Sequence, residues 1–380
     1  MTLQQQQFLE LLRSGLWGTP ADTNLFSGNV DWKTILRIAM EQTVQVIVAD
    51  GIETLPKELW PPKEAMLKLM MVRVKTNQMH QLLNSTLNQI VNALNAEGIP
   101  SVLLKGQGVA QNYRNPESRM CGDIDLYVGE KNYERACEII SAMNQNRTDG
   151  KECDHHMHLQ VNGVEVEIHR QADYMPGRKI NSNLQNWTKK SIDSLLHTDG
   201  LPQWDNDGTV INLPSPTFDA FFILHHAVRH MTTEGVGFRQ ICDWVMYISK
   251  HNTEIAKDSL QNQLKQFHLD SVWNEFGILA IDILGFSSNN FPLISKKNKS
   301  QITDKLLKQI FISGNFGRFD NNARFISKHN GKTTYLKGKL RSFNYQSMRL
   351  RKLYNLFPDY SIYYTLGWIK VAIANLLKHK

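Results

Sequence analysis

Asn162-Gly163, set between two stretches of alternating polar and apolar residues, constrains this chain more than any other feature. Both residue types tolerate the positive φ that a two-residue type I′ turn demands. The flanking stretches, His155 to Val161 and Val164 to Arg170, are therefore expected to pair as an antiparallel hairpin. With Asn162 and Gly163 central, Val161 faces Val164, Gln160 faces Glu165, His158 faces Glu167 and His156 faces His169. Alternation then puts His156, His158, Gln160, Glu165, Glu167 and His169 on one side. Met157, Leu159, Val161, Val164, Val166 and Ile168 take the other. Such a polar face is either the solvent side of a sheet or part of a site.

Around this hairpin the pattern changes twice. Up to residue 100 the apolar spacing is helical, as in Phe8, Leu9, Leu11, Leu12 and Leu16. Asp31 is placed to cap a helix from Trp32 to about Asp50. Pro61-Pro62 precede a long helix from Lys63 to Glu97, which Gly98 and Pro100 stop. Ser101-Val-Leu-Leu then reads as a short strand, Lys105-Gly106-Gln107-Gly108 as a tight loop, and Val109 to Tyr113 as a helix start. Asp123 to Val128 alternates as a half-buried strand, and Lys131 to Met143 is helical. Helices dominate again from Ser215. The expectation is an α+β protein: an N-terminal helical region (1–100) packing on a small mixed-sheet core (101–214), then a C-terminal helical domain (215–380) with a basic tail.

Charge adds little by itself. Lys and Arg total 43 against 36 Asp and Glu, a formal +7, with a basic concentration from Lys328 to Lys380. That stretch is either a solvated face or a surface for a polyanion such as RNA, a triphosphate or an anionic lipid surface. Cys121, Cys137, Cys153 and Cys242 form no CxxC pair, which speaks against a disulfide framework or zinc knuckle. The N-terminus lacks a signal-peptide layout. The most apolar run, Tyr360 to Leu377, is broken by Ser361, Thr365, Gly367, Lys370 and Asn375, so a packed helix is expected rather than a transmembrane segment. A soluble, cytoplasmic protein follows as the expectation; oligomeric state is left open.

Chemistry concentrates in the middle. Asp123 and Asp125, two apart on a strand, point to the same face, and two adjacent carboxylates favour a hard divalent cation. Asp-x-Asp alone is a weak signal. If the hairpin's polar face continues that of the aspartates, Glu167 becomes a third carboxylate. Lys105-Gly106, ending a strand and opening a helix, can offer backbone N–H groups and a cation to phosphate.

Phosphate loop, paired aspartates and hairpin carboxylate, in that order, resemble the DNA polymerase beta superfamily of nucleotidyltransferases. Leu103-Leu-Lys-Gly-Gln-Gly-Val-Ala-Gln-Asn-Tyr113, Pro116, Arg119 and Gly122-Asp-Ile-Asp-Leu-Tyr-Val128 resemble the bacterial "uncharacterised nucleotidyltransferase" family more specifically. Val166-Glu-Ile-His169, the segment from His225-His226 through Gly237-Phe-Arg-Gln-Ile-Cys-Asp-Trp244, and Leu356-Phe-Pro358 extend the likeness over most of the chain. The resemblance implies a nucleotidyltransferase core with Asp123, Asp125 and Glu167 as catalytic metal ligands for Mg²⁺, with Mn²⁺ as the alternative. It gives Lys105 and Gly106 the phosphate-loop role, with a nucleoside triphosphate such as ATP as substrate. The acceptor (small molecule, protein or RNA) is not specified. Gln107 stands where the wider superfamily has a serine, whose hydroxyl would bind a terminal phosphate.

Supporting residues are open at this level. Arg119 can contact phosphate or pair with the aspartates. His169 can orient Glu167, and His158 opposite Glu167 raises a transition-metal reading that an oxygen-rich site disfavours. His226, Arg229 and His230 share a helix face, and Arg239 and Asp243 follow at i, i+4; His226 and Arg239 are candidates for nucleotide contact, Arg239–Asp243 for an intrahelical pair. Besides the transferase, two readings stand: a nucleotide-binding module of the same fold without turnover, motivated by Gln107, and a DxD glycosyltransferase, ranked third because a long helical leader precedes the first strand.

Overall fold

The computed structural model describes residues 1–143, 151–152, 156–196, 198, 200–295, 301–317 and 335–378. His155 and Cys153 lie outside them, as do 328–334 and 379–380 of the basic C-terminal stretch. In chain order the helices are α1 (Leu3–Trp17), α2 (Trp32–Glu41), α3 (Gln45–Ile52), α4 (Lys63–Ala96), α5 (Gln107–Ala110), α6 (Gly129–Ala142), α7 (Arg178–Thr188), α8 (Ser194–Leu196), α9 (Pro216–Thr233), α10 (Phe238–His251), α11 (Lys257–Gln266), α12 (Asp270–Asp282), α13 (Gln301–Ser313), α14 (Tyr335–Tyr354) and α15 (Pro358–Lys378). The strands are β1 (Val102–Leu103), β2 (Asp123–Tyr127), β3 (Lys151–Glu152), β4 (His156–Val161), β5 (Val164–His169), β6 (Gln203–Asn206) and β7 (Thr209–Asn212). The protein is mixed α+β, with a single mixed sheet among the described residues and helices at both ends.

The chain divides into two compact units: Met1–Val72 with Ser118–Met120 and Ile223–Leu366, and Arg73–Glu117 with Cys121–Phe222 and Gly367–Lys380. These cut across the three consecutive regions expected from the sequence, because residues 73–96 cluster with the sheet rather than with the leading helices.

In the first unit, Asp31 caps α2 through a 3.0 Å bond from the Thr34 amide. The single helix expected from Trp32 to about Asp50 is two helices. Thr43 adopts φ 55° between them. The reason is long-range: buried Gln42 accepts from the Phe238 amide at 2.9 Å and donates to the Ile310 carbonyl at 3.2 Å. An amide side chain committed to two distant backbone groups fixes the break. Aromatic contacts such as Phe8 to Phe238 (5.6 Å) and Trp244 to Trp273 (4.9 Å) fill this unit's core.

In the second unit the sheet order is β3-β4-β5-β2-β1-β7-β6. The β4–β5 hairpin has the register that its turn specifies: His156 opposite His169, His158 opposite Glu167, Gln160 opposite Glu165 and Val161 opposite Val164. Asn162 and Gly163 take φ 53° and 78°, as a type I′ turn requires. A second hairpin, β6–β7, turns at Asp207-Gly208 (φ 48° and 85°). Strand β5 runs parallel to β2, which places Asp123 beside Glu165 and Asp125 beside Glu167. Antiparallel pairing of β1 with β2 brings the end of β1 alongside Leu126.

One face of this sheet is the core. Ile124, Leu126, Leu159, Val161, Val164, Val166 and Ile168 pack with Leu83, Leu87, Ile90, Val91 and Leu94 of α4 and with Tyr133, Ala136, Cys137 and Ile140 of α6. Period-two alternation turns the acidic and histidine side chains of β2, β4 and β5 to the opposite face. Leu126 of β2 is fully buried in this core. Leu126→Ala is expected to cost about 2–5 kcal/mol through lost transfer energy and a residual cavity, measured as a lower urea midpoint with an unchanged slope.

Candidate active site

The site begins where β1 ends. Leu104 donates its amide to the Asp125 carbonyl at 3.0 Å, which registers the following loop against β2. Gly106 then adopts φ 59°, ψ −121°, a conformation open to glycine and strained for residues with a Cβ. A Cβ there would also meet the Asp123 carbonyl oxygen at 3.2 Å. Lys105 is thereby turned toward β2, and its Nζ reaches Asp125 Oδ1 at 3.0 Å.

Asp125 is the most enclosed member, about 1% exposed. His169 Nε2 lies 3.2 Å from Asp125 Oδ1 and 3.4 Å from Glu167 Oε2. Burial opposes ionisation of Asp125, but the Lys105 ammonium and the His169 bond overcome it and hold the carboxyl well below its usual value. Burial likewise opposes the charge on Glu167, as does repulsion from Asp125, and the His169 hydrogen bond together with the charges of Lys105 and His169 outweighs them and lowers its pKa. Burial works against protonation of His169; its bonds to Asp125 and Glu167 prevail and raise its pKa. The cluster is thus two carboxylates offset by an ammonium and by a histidine whose protonation they favour, a compensation that an isolated buried carboxylate lacks.

Among the described residues, two groups of three side chains offer ligand atoms all within 4.8 Å of one another: Asp125, Glu167 and His169, and His156, His158 and Glu167. The first fits a divalent ion in donor chemistry, with carboxylate oxygens leading. Asp123 belongs to neither group. It lies half-buried one pleat before Asp125, beside Glu165.

Other residues singled out in the sequence have partners of their own. Gln107 turns its side chain to α4: its buried amide donates to Asn84 Oδ1 at 2.5 Å and to the His80 carbonyl at 3.4 Å. The helix opened by the loop is the single turn α5, starting at Gln107 rather than running from Val109 to Tyr113, so it adds little dipole. His158 stands between Glu165 (3.2 Å) and Glu167 (3.3 Å).

In the other unit, Arg119 is engaged within its own unit. It forms a buried two-pronged ion pair with Asp243, Nε to Oδ1 at 2.7 Å and a terminal nitrogen to Oδ2 at 2.8 Å. Asp243 is therefore paired across the chain rather than with Arg239 one turn away. Arg239 instead donates to the Met120 carbonyl at 3.2 Å, with its guanidinium 5.2 Å from the Phe316 ring centre. His226 Nε2 meets His230 Nε2 at 2.9 Å, and Arg229 approaches its Nδ1 at 3.4 Å. The Arg119–Asp243 pair carried no local sequence signal, since its partners are 124 residues apart.

Residues 28–283 match the family model described as uncharacterised nucleotidyltransferase. The chain belongs to this family. No curated protein and no solved structure matches it. Nucleotidyl transfer is therefore the general chemistry that this nucleotidyltransferase's family assignment supports, with a nucleoside triphosphate as the implied substrate. Among the described residues no helix is long and apolar enough to cross a membrane.

Two substitutions test these placements. Gly106→Ala forces φ where a Cβ is strained and should cost about 1–3 kcal/mol, read as a lower unfolding midpoint. Asp243→Ala strands the buried Arg119 charge and should cost about 3–5 kcal/mol, measured by chemical denaturation.

Proposed function

We propose that this nucleotidyltransferase moves a nucleoside monophosphate from a nucleoside triphosphate to a hydroxyl of a small molecule, protein or RNA. The observation that carries the reading is the convergence of Lys105, Asp125, Glu167 and His169 on one sheet face, from a strand-end loop and two parallel neighbouring strands. The acceptor oxygen bonds to the α-phosphorus, the bond from that phosphorus to the bridging oxygen breaks, and pyrophosphate leaves with the electron pair. Lys105, held on a short loop beside Asp125, binds the triphosphate by exchanging one anionic partner for another. Glu167, ionised and less enclosed than Asp125, accepts the proton from the attacking hydroxyl. His169 orients both carboxylates through the bonds given above.

Asp123, Asp125 and Glu167 are the residues that would hold a divalent ion, Mg²⁺ or Mn²⁺, which when bound neutralises phosphate charge. Its binding requires the Lys105 ammonium to leave Asp125, so ion and triphosphate should bind together more tightly than either alone.

A second reading has a specific observation behind it. Gln107, where the superfamily has a serine, is committed to α4 and presents no hydroxyl to phosphate. Nucleotide binding without turnover would suit that arrangement. Both readings are separated by incubating purified protein with each α-³²P-labelled triphosphate, Mg²⁺ or Mn²⁺, and protein, RNA and small-molecule fractions as acceptors. The transferase reading expects label in one fraction and a fall of about 10²–10³-fold or more for Asp125→Asn. Calorimetric binding without any labelled product supports the binding module, and unchanged labelling by Asp125→Asn sinks the assignment of the site.

A further inference from the structure

The polar face of the hairpin carries more ligating chemistry than nucleotidyl transfer needs. His156 and His158, two apart on β4, share a face with Glu167 of β5 directly across from His158. Their Nε2 atoms are 2.9 Å apart. Glu167 Oε2 is 3.6 Å from His156 Nε2, and Glu167 Oε1 is 3.3 Å from His158 Nδ1. Atoms bonded at about 2.0–2.1 Å to one ion lie about 2.9 Å apart along an octahedral edge and about 3.4 Å along a tetrahedral one. The imidazole pair is already at such a separation. The carboxylate needs only a side-chain adjustment to join it.

The surroundings favour metal ligation too. Glu165 Oε1 is 3.2 Å from His158 Nδ1, so a proton on Nδ1 would leave the Nε2 lone pair directed at His156. The side chains of His156, Glu167 and His158 are 12%, 19% and 29% exposed, open enough for an ion to enter and for water to complete its coordination. Lys105, the ammonium that competes for the Asp125 group, is paired at Asp125 Oδ1.

We propose that His156, His158 and Glu167 form a site for an imidazole-preferring divalent transition ion, of the class of Zn²⁺ or Co²⁺. Two nitrogens and one carboxylate select such ions over Mg²⁺, whose preferred ligands are oxygen. The site shares Glu167 with the Asp125 group and differs from it in its other two donors. It stands whether or not the chain transfers nucleotides, because its test reads metal directly.

Full-length protein stripped with chelator is titrated with Co²⁺ and followed by visible absorption, then with Zn²⁺ in competition. Saturable binding is expected, with d–d bands and no thiolate charge-transfer band. His156→Ala and His158→Ala should each weaken Co²⁺ binding by about tenfold or more, while Asp125→Asn leaves it within about threefold, a margin small against that loss. Circular dichroism in chelator checks folding. The partly exposed His158 carries the test if His156→Ala does not fold. Absence of saturable binding, a thiolate band, or loss in Asp125→Asn with retention in the folded histidine variants would overturn the proposal.

Discussion

The polar face of this sheet depends on keeping a buried carboxylate charged. Asp125 sits in the centre of the sheet with almost no solvent access, where an unpaired carboxylate would neutralise itself or destabilise the fold. Lys105 and His169 prevent that by facing its Oδ1 from the loop after β1 and the end of β5. Each comes from a different strand of one sheet. The strand order that brings β1 and β5 to either side of β2 is therefore what the site requires of the fold.

The same arrangement explains how two carboxylates can stay charged side by side within the sheet. Two carboxylates on adjacent parallel strands repel one another, and a cation between them offsets the repulsion. In the structure that cation is a side chain on a glycine-fixed loop. A lysine ammonium on a flexible stem can change anionic partners at small cost, which a rigid guanidinium fork cannot do as readily. Arg119 illustrates the contrast: its two-pronged, buried pair with Asp243 is suited to holding structure in place.

How far these features were legible in the chain depended on their range. The β4–β5 hairpin and its cross-strand pairs could be read because the Asn162-Gly163 turn fixes register within a few residues. The same holds for the Asp31 cap and for the start of α4 after Pro61-Pro62. Asp207-Gly208 offered an equally local signal for β6–β7, and short strands with little alternation concealed it. Thr43 could not be read as a helix break, since the cause is Gln42 reaching Phe238 and Ile310. Nor could the fate of Gln107, whose partners lie on a helix that ended before the loop began.

What the sequence determined by itself was which side chains share a face. Alternation and turn chemistry are local, so Asp123 with Asp125, and His156 and His158 with Glu167 and His169, were set before any packing. Which of them would touch was decided by tertiary structure alone. Parallel pairing of β2 with β5 set Asp125 beside Glu167, and the β1 loop delivered Lys105 to the same oxygen as His169. Strand neighbours and loop reach depend on how a whole core packs, and no window of residues contains that information.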